Sequence, residues 1–118
     1  MASQNDNWKT QIRKGYLELC ILQLIKRQGK IYGFDLLEKL SEASLEVKEG
    51  TLYPLLNRMS ADGLLAAAWE TENLKGHPRK FYSLTKAGIR FLEEMNEEFR
   101  QMISIYEKIG KPSKGAPL

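Results

Sequence analysis

His77 and Cys20 are the groups in this chain best suited to nucleophilic or metal chemistry, and each stands alone. A zinc site needs several Cys, His or carboxylate ligands at close spacing, and the chain has one histidine and one cysteine. Cys20 lies on an apolar helical stripe, and its neighbour Glu18 has the wrong sign to stabilise a thiolate. It reads as a small packing group. There is no nucleophile–base pair, no pair of carboxylates with a cleft signature and no glycine-rich phosphate loop. Catalysis is therefore not expected, and neither is a cofactor or metal. What the residues do favour is recognition of anions. Lys75, Arg79 and Lys80 flank one short loop that also holds Gly76, His77 and Pro78, and Lys9, Arg13 and Lys14 cluster near the N-terminus. Asn57 and Arg58 carry groups suited to phosphates or base edges.

The chain that must position these groups has 118 residues, enough for one domain with a core. Hydrophobic residues make up 42% and charged residues 28%, as in soluble globular proteins. The longest apolar stretch, residues 16–25, is too short to cross a bilayer and contains Glu18 and Gln23. No secretory leader is evident and a single cysteine excludes an internal disulfide, so a reduced cytoplasmic setting without a membrane partner is expected. The net charge of +3 permits nucleic-acid binding without requiring it. The distribution is more informative, because the acidic excess gathers separately at Glu93, Glu94, Glu97 and Glu98. Charge clusters on small proteins are also commonly plain solvated faces.

Residues 1–9 are polar apart from Trp8 and lack a period, which predicts a flexible arm. A first helix from about Thr10 to Gln28 has so broad an apolar face that it needs two surfaces to cover it. Gly29 is placed to end it. A second helix is expected from about Gly33 to Ala43, with Leu36, Leu37 and Leu40 inward and Gly33 as its cap. In a third, Leu52, Leu55, Leu56 and Met59 fall at i, i+3, i+4 and i+7 and point inward. It closes at Asp62-Gly63. "LLAAAWE" and "RKFYSL" then read as a β-hairpin with a basic tip. Thr85 caps a long last helix. There Leu92, Met95, Phe99, Met102, Tyr106 and Ile109 alternate at spacings of 3 and 4, a heptad seam suited to a second copy.

Proline is tolerated only in the first helical turn, so Pro54 predicts that the third helix starts no earlier than about Gly50 or Thr51. An earlier start requires an irregular first turn, with Gly50 absorbing the strain. The inward stripe leaves Thr51, Tyr53, Pro54, Asn57 and Arg58 outside or at the edge, with Lys48 at the entry. Tyr53 can pack beside the second helix, or place its hydroxyl on a phosphate, or do both.

Three helices, a hairpin and a long helix follow the order of a winged helix-turn-helix with a C-terminal dimerisation helix: a mainly α fold with a small β-hairpin. "GTLYPLLNRMSADGLL" followed by "KGHPRKFYSLTKAG" resembles the PadR family of bacterial transcriptional regulators, in its smaller branch with one helix after the wing. The opening "KGYLELCILQLIKRQGKIYGFDLLEKL" resembles it too. The resemblance spans about residues 10–90. It implies a homodimer on an inverted-repeat DNA operator, acting as a repressor relieved by a small-molecule or stress signal. It also implies DNA contacts from Thr51, Tyr53 and Pro54 in the recognition helix and from Gly76, Pro78, Arg79 and Lys80 in the wing. Lys48 and Glu49 depart from the family pattern of a better cap and a proline, and His77 departs in the wing.

The candidate DNA-binding residues are thus Arg13, Lys14, Lys48, Thr51, Tyr53, Pro54, Asn57, Arg58, Lys75, Gly76, His77, Arg79 and Lys80. The dimer is expected through the heptad seam with Ile12 and Tyr16. Trp8, Tyr16, Phe99, Met102 and Tyr106 are candidates for a pocket that takes a small apolar or aromatic effector. The alternative function is a winged-helix module that binds another protein. The expected organisation is an arm over 1–9, a DNA-binding domain over 10–84, a dimerisation helix over 85–109 and a loose tail over 110–118.

Overall fold

The computed structural model describes residues 3–70 and 79–113. Helix α1 spans Gln4–Gln28, strand β1 Ile31–Tyr32, helix α2 Gly33–Glu42 and helix α3 Glu49–Ala61. Strands β2 (Leu65–Glu70) and β3 (Arg79–Leu84) follow, and helix α4 (Lys86–Gly110) closes the fold. Residues 4–9 are helical, not the flexible arm that their polarity suggested. The Ser3 hydroxyl accepts a hydrogen bond from the Asp6 amide at 3.1 Å, and Asp6 lies in the positive first turn. Gly29 ends α1 with φ 81° while its amide reaches the Ile25 carbonyl.

The sheet has three strands, ordered β1-β3-β2, rather than the two of a hairpin. Ile31 pairs with Tyr82, Tyr32 with Phe81, and Trp69 with Lys80, all antiparallel. A two-residue strand has no alternation to read, and β1 exists only because β3 supplies its partner. Tyr32, not Gly33, is the residue that precedes α2, and its side chain makes no capping bond.

α3 starts at Glu49, ahead of the start that Pro54 suggested. The Lys48 carbonyl accepts from the amides of both Thr51 (2.9 Å) and Leu52 (3.0 Å), so the first turn is tightened. Lys48 makes no side-chain cap. Pro54 then stands in the second turn, where it deprives the exposed Gly50 carbonyl of its usual donor. Gly50 takes no left-handed φ.

The core unites Ile21, Leu22 and Ile25 of α1, Leu36 and Leu40 of α2, and Leu52, Leu56 and Met59 of α3 with Leu65, Tyr82 and Leu92. Leu92 is fully buried within one chain, so it leaves the expected dimer seam for the monomer core. Met95 and Phe99 are half-buried, with the Phe99 ring 6.0 Å from that of Tyr16. Met102, Tyr106 and Ile109 are exposed, as are Ile103 and Ile105 outside the heptad positions. The N-terminal half of α1 is equally uncovered, with Trp8, Ile12 and Tyr16 exposed.

A corner between α3 and α4 sets the direction of the last helix. The Thr85 hydroxyl donates to the Gly63 carbonyl at 2.6 Å and accepts from the Gly88 amide at 2.9 Å. The Thr85 amide reaches the Leu64 carbonyl at 3.1 Å. Gly88 is buried against that same carbonyl, and any Cβ there would collide with its oxygen. Gly88→Ala is expected to destabilise the fold by about 1–3 kcal/mol through overpacking against backbone. Gly110→Ala meets nothing within 4 Å and serves as the control. Urea denaturation of both variants separates this corner effect from the ordinary gain of alanine in a helix.

Candidate nucleic-acid interface

The inward stripe of α3 leaves two edges. Pro54 and Asn57 lie on the exposed face, Tyr53 turns half-buried toward α2, and Thr51 and Arg58 lie toward the opposite edge. The Tyr53 ring packs directly on Gly33 at the start of α2. A Cβ on Gly33 would lie 2.7 Å from Tyr53 Cε1 and 3.2 Å from its hydroxyl. The absence of a side chain at Gly33 is therefore what admits the ring. Burial pushes the Tyr53 hydroxyl above its ordinary pKa, with the Glu49 carboxylate adding to the effect. The hydroxyl stays protonated and able to donate.

A cleft of about 660 Å³ opens between α2, α3 and the sheet. It brings together four residues expected at a DNA surface: Tyr53, Asn57, Arg79 and Lys80. The two cations are held over aromatic rings. Lys80 Nζ lies 5.6 Å from the centroid of Trp69 and 5.7 Å from that of Tyr82, and the Arg79 guanidinium lies 5.3 Å from that of Tyr32. Such contacts are worth about 0.5–1 kcal/mol at exposed sites, enough to orient a flexible side chain without trapping it. The strand register explains the arrangement, since Trp69 stands directly across from Lys80 and Tyr82 is two residues along.

The sequence alone missed Tyr32, Phe34 and Trp69 in this cleft, and also the carboxylates of Asp35 and Glu38 on its α2 wall. Trp69 was recoverable, because pairing "AAAWE" against "RKFYSL" in register puts it beside Lys80. Lys75, Gly76, His77 and Pro78 lie outside the described residues. Arg13 and Lys14 are exposed on the N-terminal half of α1 and do not line this cleft. Arg58 does not line it either, since its guanidinium forms an ion pair with Glu18 of α1.

A second cleft, of about 600 Å³, runs between α1 and α4. Tyr16, Phe99 and Met102 line it as expected of an effector pocket, but Trp8 and Tyr106 are not among its lining residues. Leu19, Phe91 and Met95 extend its apolar wall, and Glu18 and Glu98 are its two carboxylates. Cys20 is half-buried beside Tyr16, and burial pushes its thiol pKa up. That keeps it protonated, consistent with a packing role. Among the described residues no group of His, Cys, Asp and Glu is arranged to hold a metal ion, and no helix is long and apolar enough to cross a membrane.

Comparison with known proteins matches residues 21–94 to the model of the transcriptional regulator PadR-like family. A solved PadR-like transcription factor from Bacteroides fragilis is 44% identical, covers 89% of this chain and is itself covered completely, with a TM-score of 0.77. A PadR-like transcriptional regulator from Bacillus cereus is 33% identical, with 87% of this chain and 99% of that one aligned and a TM-score of 0.75. The transcriptional regulator Rv3488 of Mycobacterium tuberculosis is 40% identical over 66 residues, 56% of this chain and 60% of that protein.

The Gly33–Tyr53 packing generates a sign-reversal test. Gly33→Ala is expected to destabilise the wild-type chain, because the new methyl meets the ring. In a Tyr53→Ala background the same change is expected to be neutral or stabilising by up to about 1 kcal/mol, because alanine is the better helix former. Chemical denaturation of the four members of this cycle measures the interaction directly.

Proposed function

Because the chain belongs to the PadR-like family of transcriptional regulators, we propose that it acts as a homodimeric repressor of a nearby operon. It binds an inverted-repeat operator in double-stranded DNA and releases it when a small apolar or aromatic effector, or a stress signal, arrives. The cytoplasm is its place of action. The observation that carries this reading is the convergence of Tyr53 and Asn57 of α3 with Arg79 and Lys80 of the wing strand in one cleft. The exposed tip of α3, with Lys48, Thr51 and Pro54, enters the major groove, and the wing follows the phosphate backbone.

The homodimer is supported by unpartnered apolar surface on two adjacent helices. Tyr106 and Ile109 are 78% and 77% exposed, and Trp8 is 62% exposed. Apolar groups so placed on α4 and α1 are best covered by their own symmetry mates. Two copies joined along α4 present two recognition helices, which an inverted repeat matches. The effector site falls in the cleft between α1 and α4, where Tyr16, Phe99 and Met102 offer a pliable aromatic wall.

Selection from random duplex DNA with the purified protein is expected to recover an inverted repeat with half-sites about one helical turn apart. Recovery of no preferred sequence overturns the reading. The double variant Arg79→Ala, Lys80→Ala is expected to weaken specific and non-specific duplexes alike and to flatten the salt slope by about 2. Tyr106→Glu with Ile109→Glu is expected to give a folded monomer by sedimentation, because both side chains lie outside the monomer core.

A further inference from the structure

We propose that Glu18 is a specificity-determining residue for DNA binding and acts by holding Arg58. The inference rests on the reading of the chain as a DNA-binding regulator. Among the described residues the Glu18–Arg58 contact is the one salt bridge that joins two elements, since the other, Glu97–Arg100, lies within α4. It ties α1 to the recognition helix. Arg58 stands four residues after Pro54, on the same exposed side of α3. Its side chain is 53% exposed while that of Glu18 is 26% exposed. Arg58 Nη2 lies against Glu18 Oε1, and the pair leaves more than half of the Arg58 side chain open to solvent.

The charge argument decides what such a pair does. Non-specific binding to DNA counts positive charges and the counterions they release. An arginine whose charge is cancelled by a carboxylate adds little to that count. Specific binding depends instead on donors held in register with base edges and phosphates. A guanidinium fixed by one carboxylate keeps those donors and loses the side-chain freedom it would otherwise give up on binding. Glu18 therefore lowers the attraction of Arg58 for arbitrary DNA while presenting it to the correct site. Glu18 is a positioning residue and touches no DNA itself.

Glu98 supplies the matched control. It is a carboxylate of the same α1–α4 cleft, but the ion pair of Arg58 is with Glu18 and not with it. Glu18→Gln and Glu98→Gln change net charge equally, so any excess effect of the first belongs to the pair. Affinity is measured against the selected operator and a scrambled duplex across a range of salt, for wild type, Glu18→Gln, Glu98→Gln, Arg58→Gln and the Glu18→Gln, Arg58→Gln double variant. Circular dichroism melting confirms that each variant is folded.

Glu18→Gln is expected to bind the scrambled duplex several-fold more tightly than Glu98→Gln, with a salt slope steeper by about 1. Its operator-to-scrambled ratio is expected to fall several-fold. In the Arg58→Gln background Glu18→Gln is expected to act no differently from Glu98→Gln. Equal effects of Glu18→Gln and Glu98→Gln, or an undiminished Glu18 effect without Arg58, overturn the proposal. Failure of every variant and wild type to prefer the operator overturns the functional reading instead, while the scrambled-duplex arm still tests the Glu18–Arg58 charge coupling.

Discussion

The rotation of α3 about its own axis is set by the burial of Leu52, Leu56 and Met59 in the common core that α1, α2 and the sheet also enter. Each such side chain contributes about 1.5–3 kcal/mol when fully withdrawn from water. Turning the helix far enough to hide Asn57 would expose all three, so the rotation is not negotiable. Everything that faces outward on α3 follows from it. Tyr53 falls at one edge, against Gly33 and the wing cleft, and Arg58 falls at the other, against Glu18. The helix is thus gripped at both edges by different physics: ring packing on a bare backbone and a partly exposed ion pair. The face between them carries Pro54 and Asn57 and is free for a ligand.

The two clefts differ in chemistry as sharply as in place. The one beside α3 mixes aromatic rings with both signs of charge, and its cations rest on ring faces. A single cation–π contact is weaker than a charge-assisted hydrogen bond, so it orients such a cation without committing it. The cleft between α1 and α4 is apolar and bordered by two carboxylates. Both helices continue beyond it with large uncovered side chains, so the surface that a second copy would cover is continuous with the cleft. Glu18 belongs to the wall of this cleft and also to the grip on α3.

Much of this was legible in the sequence, because periodicity is a local property. The stripes of α2 and α3, the stops at Gly29 and Gly63 and the Thr85 cap depend on neighbours a few residues away. The early start of α1 escaped because one hydroxyl, that of Ser3, outweighs a polar run with no apolar stripe. β1 escaped because two residues carry no pattern. Leu92 was misplaced for a different reason. The heptad seam runs through it without a break, and a seam cannot say where one partner stops and the next begins. The fold divides it, with Leu92 in the core, Met95 and Phe99 half-covered by α1, and Met102, Tyr106 and Ile109 left outside.

The sequence by itself determined which residues of α2 and α3 face inward and where α1 and α3 stop. Each of those follows from side-chain type at short range. Tertiary structure alone decided what the outward residues meet. Gly33 and Tyr53 are 20 residues apart and Glu18 and Arg58 are 40 apart, on different helices, and such pairs are selected by packing angle rather than by spacing. Pro54 shows both halves of this division. Its presence marks a disturbed helix start in the sequence, but only the folded chain shows that the helix begins at Glu49, ahead of it, with the bond to the Gly50 carbonyl missing. The missing bond is tolerable there because the carbonyl it strands lies on the open face of α3, where water can satisfy it.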